Sequence, residues 1–177
     1  MSQALKDFFS KITTDQALQE RLYVTKEIAD VASIAQEMGF KISGAEILRA
    51  QAGRVLLLPP QELEDAAAGK RPKTGAQWGR AGRGYLDNAG FWVNEFICWG
   101  CTQPANEPQM EAFFVKIKED NTLRKALLLA KTYDDVTRLA NEYGYNNVSS
   151  CVLLKYMATQ ILMLSEERAE RVACGAS

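Results

Sequence analysis

Shifted by 105 residues, this chain reads onto itself. "FFSKITTDQALQERL" (8–22) falls on "FFVKIKEDNTLRKAL" (113–127), and "KEIADVASIAQEMGF" (26–40) on "KTYDDVTRLANEYGY" (131–145). Identical pairs include Phe8/Phe113, Phe9/Phe114, Lys11/Lys116, Ile12/Ile117, Asp15/Asp120, Leu18/Leu123, Leu22/Leu127, Asp30/Asp135, Val31/Val136, Ala35/Ala140 and Gly39/Gly144. One extra residue later, "LPPQELEDAAAGK" (58–70) falls on "LSEERAERVACGA" (164–176). A repeat of this length constrains the fold more than composition does, because both copies must adopt the same supersecondary unit. The copies occupy 1–69 and 107–177, and an insert, 70–106, separates them.

Within a copy the apolar residues keep helical spacing. Ala4, Leu5, Phe8, Phe9 and Ile12 form one stripe, and Ile28, Val31, Ile34, Ala35 and Met38 form another. The punctuation agrees: Thr14 or Asp15 can cap a second helix, Gly39 stands where a left-handed C′ residue belongs, and Ser43 with Glu46 has capping-box spacing. Pro60 suits the first turn of a short acidic helix ending near Ala68. In the second copy Thr132/Asp135, Gly144, Ser149 and Ser165 take the equivalent places. Alternation of period two is absent. The expectation is an all-α fold of two repeated small bundles of short amphipathic helices, joined by a Gly- and aromatic-rich insert. The Phe-Phe pairs read as core, and Lys11/Lys116 and Glu37/Glu142 as solvated surface.

Histidine is absent among the 177 residues. Ser-His and Cys-His nucleophiles and His-containing metal sites are thereby excluded, and the chain reads as non-enzymatic. A net charge of −1 gives no overall grip on nucleic acid or anionic lipid. No uncharged apolar stretch approaches the roughly 18 residues that span a bilayer. The N-terminus lacks a basic and apolar secretory signal, so the expectation is a cytoplasmic protein with no membrane partner. Of the four cysteines, Cys98 and Cys101 have CxxC spacing, a weak metal candidate and the sole attractive redox pair. A structural zinc needs four ligands, and neither a second CxxC nor a histidine completes the set. No metal and no cofactor are expected. Cys151 falls in an apolar helical pattern and reads as core.

The order of these motifs, "FF.KI..D..L...L", then "K...DV..IA.E.GF", then a helix and an acidic segment ending in small residues, resembles the Nif-eleven leader-like family. That family is named for nitrogen-fixation gene clusters and is common in cyanobacteria, and the two copies cover about four-fifths of this chain. In the family the domain often leads a ribosomally made peptide that modification enzymes act on. An exporter-type peptidase then cuts after a Gly-Gly or Gly-Ala pair. The resemblance places such cleavage-like boundaries at Ala68-Gly69 and at Gly175-Ala176, or Cys174-Gly175 in the other register. Only Ser177 follows the second boundary, so no released peptide is expected there. Other members are stand-alone proteins.

The insert, "KRPKTGAQWGRAGRGYLDNAGFWVNEFICWGCTQPAN", opens on Lys70, Arg71, Lys73, Arg80 and Arg83 and holds Trp78, Trp92 and Trp99. Its first part reads as a basic linker, and its Arg and Trp residues also resemble a nucleic-acid-binding tail, a reading that the net charge disfavours. The stretch 85–99 reads as a short helix too apolar to stay in water. It should dock between the copies or on a partner, with Trp92, Phe96 and Trp99 as candidate partner-binding residues. The expected function is a docking or regulatory module that binds a protein, such as a peptide-modifying enzyme or exporter peptidase. The alternatives are a leader-type precursor cleaved after Ala68-Gly69 and a small Cys-dependent redox protein.

Overall fold

A computed structural model of the chain describes residues 1–25, 27–70, 89–98, 100 and 103–175. Among the described residues there are eleven helices and no strand, and the fold is all-α. The first copy supplies α1 (Gln3–Thr14), α2 (Gln16–Tyr23), α3 (Ile28–Glu37), α4 (Gly44–Leu57) and α5 (Pro60–Ala67). The insert supplies α6 (Ala89–Cys98). The second copy supplies α7 (Pro108–Glu119), α8 (Asn121–Leu127), α9 (Tyr133–Glu142), α10 (Ser150–Leu162) and α11 (Glu166–Ala173).

Short helices start where they do because side chains satisfy the first free N–H groups. The Asp15 carboxylate accepts from the Leu18 N–H at 3.0 Å, and Asp120 accepts from Leu123, its repeat equivalent, at 3.0 Å. Thr132 and Asp135 close a capping box on α9, each bonding the other's N–H at 3.1 Å. The equivalent box on α3 pairs Glu27 with Asp30. Ser43 and Glu46 form the expected box on α4, with both bonds at 3.1 Å. Gly39 and Gly144 end α3 and α9 with φ of 88° and 90°, and the next N–H in each copy reaches back to Ala35 or Ala140 at 2.9 Å.

The copies match in packing as well as punctuation. Phe8 stacks on Phe40 and Phe113 on Tyr145 with ring centroids 5.5 Å apart in both cases. Lys11–Asp15 and Lys116–Asp120 are equivalent ion pairs at 3.2 and 3.0 Å, so these lysines are engaged within their own turns. Ile42 and Val148 are both buried, and Ser43 and Ser149 both accept from an N–H three residues on. The extra residue of the second copy therefore falls between Tyr145 and Val148, and equivalent positions beyond it differ by 106.

The compact units cut across the copies. The first comprises Met1–Arg54 together with the chain from Ile161, so it holds α1–α3, most of α4, and α11 from the second copy. The second comprises Val55–Lys70 together with the chain up to Gln160, so it holds α5 from the first copy with α6–α9 and most of α10. The repeat boundaries at 69 and 107 remain boundaries of sequence, and the terminal acidic helix of each copy lies in the other unit. In the first unit Leu5, Phe8, Ile12, Val31 and Leu48 are buried, and so are Ala169 and Val172 from α11. In the second, Phe113, Ile117, Leu127 and Tyr133 are buried along with Leu63 and Ala67 from α5.

The insert helix is part of the second unit and packs against α7, α8 and α9. Its first N–H groups, on Ala89 and Gly90, donate to the carbonyls of Lys131 and Ala130 at 3.3 and 3.1 Å. Gly90 permits that approach: a Cβ there would stand 1.7 Å from the Leu127 carbonyl oxygen.

Candidate functional site

The two cleavage-like boundaries are helix-capping turns. Ala68 caps α5, Gly69 has φ 73°, and the Lys70 N–H closes a Schellman turn on the Asp65 carbonyl at 2.8 Å. Cys174 caps α11, Gly175 has φ 68°, and its N–H donates to the Val172 carbonyl at 3.0 Å. Both turns are packed from outside. A Cβ on Gly69 would stand 2.7 Å from Thr132 Cγ2, and one on Gly175 would stand 2.6 Å from Glu27 Oε2. Thr132 and Glu27 are repeat equivalents, the N-caps of α9 and α3. Each boundary therefore seats on the third helix of the opposite copy. Ala176 lies outside the described residues.

The acidic terminal helix meets its seat through charge and through size. In the first unit the Ala45 N–H at the start of α4 donates to Glu170 Oε1 at 2.9 Å. This puts a carboxylate on the positive end of a helix dipole. One turn along, Arg49 pairs with Glu166 and donates a second bond to the Leu164 carbonyl at 3.0 Å. Gly44 faces Ala173 so closely that a Cβ on Gly44 would lie 2.7 Å from the Ala173 Cβ. In the second unit Glu64, the equivalent of Glu170, lines a shallow cleft with Ala68, Asp134 and Ser150. The Cys151 thiol beside it is pushed up by burial first, then by the charges of Glu64 and Asp134. Cys151 is partly rather than fully buried.

The expected partner residues of the insert are interior. Trp92 is 7% exposed and Phe96 fully buried, their rings 6.2 Å apart, in the packing of α6 against its neighbours. An aromatic helix spends its apolar surface on the nearest apolar surface, here its own unit, which removes Trp92 and Phe96 from the list of surface contacts. Trp99, Cys101 and residues 71–88, which include the basic stretch after Lys70, lie outside the described residues. Cys98 is an exposed free thiol at the end of α6, with an Arg124 Nη and the Asn94 Oδ1 each 3.9 Å from its sulfur. Among the described residues no group of three His, Cys, Asp or Glu side chains is placed to hold a metal, and no helix is long and apolar enough to cross a membrane.

Two of the repeated surface positions that sequence reasoning missed are the most exposed, and a third pair, Tyr23 and Leu128, is 49% and 51% exposed. Val24 and Leu129, which follow the second helix of each copy, are 75% and 81% exposed. Leu57 and Met163, at the ends of α4 and α10, are 85% and 55% exposed. Each unit carries one residue of each pair. The available signal was the recurrence of a large apolar residue at both places, off the helical stripes.

The Nif11 domain model matches residues 1–47 and 107–146. No curated protein and no solved structure matches the chain. The matched segments are α1–α3 with the start of α4 and its capping box, and the equivalent α7–α9 with the turn that Gly144 begins. The chain is a protein of two Nif11 domains in tandem.

Proposed function

We propose that this protein is a non-enzymatic docking protein that binds another protein through its exposed apolar positions. The observation that carries this reading is their twofold recurrence: Val24 with Leu129, and Leu57 with Met163, are large apolar residues exposed in both copies. Large apolar side chains held in water at equivalent places of two units suit a surface that a partner covers. The domain family supports the coarser frame, a leader-like helical domain that other proteins recognise.

A second reading keeps the leader's other role, as a precursor cut after Ala68-Gly69, and the small-residue boundary itself favours it. The closed turn and the contact with Thr132 weigh against it, because a peptidase that accepts only small side chains in a narrow channel takes extended chain. Protein recovered from its native cell distinguishes the two. The docking reading expects an unmodified full-length mass and elution in a complex larger than the monomer. It also expects a Val24→Glu/Leu129→Glu variant to elute as the monomer. Loss of the chain after Gly69, dehydration within 70–106, or elution of the wild type as a free monomer would overturn it.

A further inference from the structure

In the first unit the contacts that hold the acidic helix run from residues 27–49 on the seat to residues 164–175 on the occupant. Every recognition element works without regard to how the two are joined. The α4 N-terminus takes the Glu170 carboxylate and Arg49 takes Glu166. The glycine at 44 admits Ala173, and the bare Gly175 fits against Glu27. Together these spell a ligand: a helix with acids four residues apart, then a small residue three further on, then glycine two beyond. We propose that this helix is transferable, so that α11 of a second copy of the chain docks in the first unit and the two copies associate by exchanging it.

The structure contains the exchange already, since α11 reaches the first unit from the second sequence copy. Exchange of an identical element between protomers is a low-cost route to a dimer, and a reciprocal exchange closes with twofold symmetry. In a single chain the attached helix competes at an effective concentration on the order of millimolar. Association in trans therefore emerges when docking in cis is impaired. This goes beyond the docking reading above, which concerns a different protein and different residues.

The test mixes two full-length variants. Glu166→Lys/Glu170→Lys spoils the ligand helix and leaves the seat intact; Arg49→Glu spoils the seat and leaves the helix intact. Each alone is expected to be monomeric by light scattering, and the equimolar mixture to yield a 1:1 species of twice the mass by native mass spectrometry. Two folded variants that remain monomeric on mixing overturn the proposal. Should the double variant lose its helical circular dichroism, the full-length Glu170→Gln variant is titrated with a fluorescent peptide of residues 161–175 carrying Cys174→Ser. Saturable binding is expected, weakened about tenfold or more when the peptide itself carries Glu170→Gln, the loss expected for a hydrogen bond to a charged group. No saturable binding, or equal binding of the two peptides, overturns it.

Discussion

Two glycines that look alike in sequence are held by different forces. Gly39 has φ 88° and nothing within 4 Å of where a Cβ would sit, so its requirement is conformational. Gly69 has φ 73° and also a Thr132 methyl in the way. Gly39→Ala should therefore lose about 1–2 kcal/mol, the cost of a left-handed non-glycine residue. Gly69→Ala should lose that and a further ~1–3 kcal/mol of overpacking. Thr132→Ser keeps the capping hydroxyl and removes the methyl, so it should restore much of the second part at Gly69 and none of the loss at Gly39. Chemical denaturation of the three single and two double variants gives the coupling directly. A Gly69→Ala loss that Thr132→Ser leaves unchanged would mean that Gly69 is there for its backbone alone, and that the seat on α9 is a weak one.

At the scale of the element, the helices were legible because their determinants are local. A cap and the apolar stripe that follows it lie within a dozen residues, and nothing distant decides them. Their electrostatics are correspondingly local and can be read out with pH. Asp15 and Asp120 sit below their ordinary value of 3.8, chiefly because backbone N–H groups of Leu18 and Leu123 hold the charged form, then because of Lys11 and Lys116. For Asp135 burial pushes upward, but the bonds from Thr132, from the Lys131 N–H and from Arg138 prevail and lower it too. A lowered folded value means stability that is present above 3.8 and is lost as pH falls through the folded values beneath it. Thermal midpoints should thus be flat from about pH 7 to 5 and decline below about pH 4. Asparagine still caps a helix but carries no charge. Asp15→Asn/Asp120→Asn should accordingly flatten part of that decline while leaving the helical content at neutral pH unchanged. An unaltered acid slope would assign the decline to other carboxylates.

At the scale of the whole molecule the sequence is silent on its main feature, the crossing of α5 and α11 between the copies. Periodicity says which face of a helix is apolar, never whose core it enters, and the two terminal helices have interchangeable patterns. Charge does not decide either, since Lys155 stands where the first copy has Arg49, and Glu166 would find a cation in its own copy. Docking on the opposite copy means that each unit depends on both halves of the chain. A protease site placed between residues 75 and 80 of the full-length protein, once cut, should leave two fragments that co-elute as one particle. They should unfold in a single transition with coincident helical and tryptophan signals, because neither fragment can complete a core without the other's terminal helix. Fragments that separate at low concentration while each keeps its helical signal would show that the copies are self-sufficient. The helices would then close on their own domains, and the exchange would be ruled out.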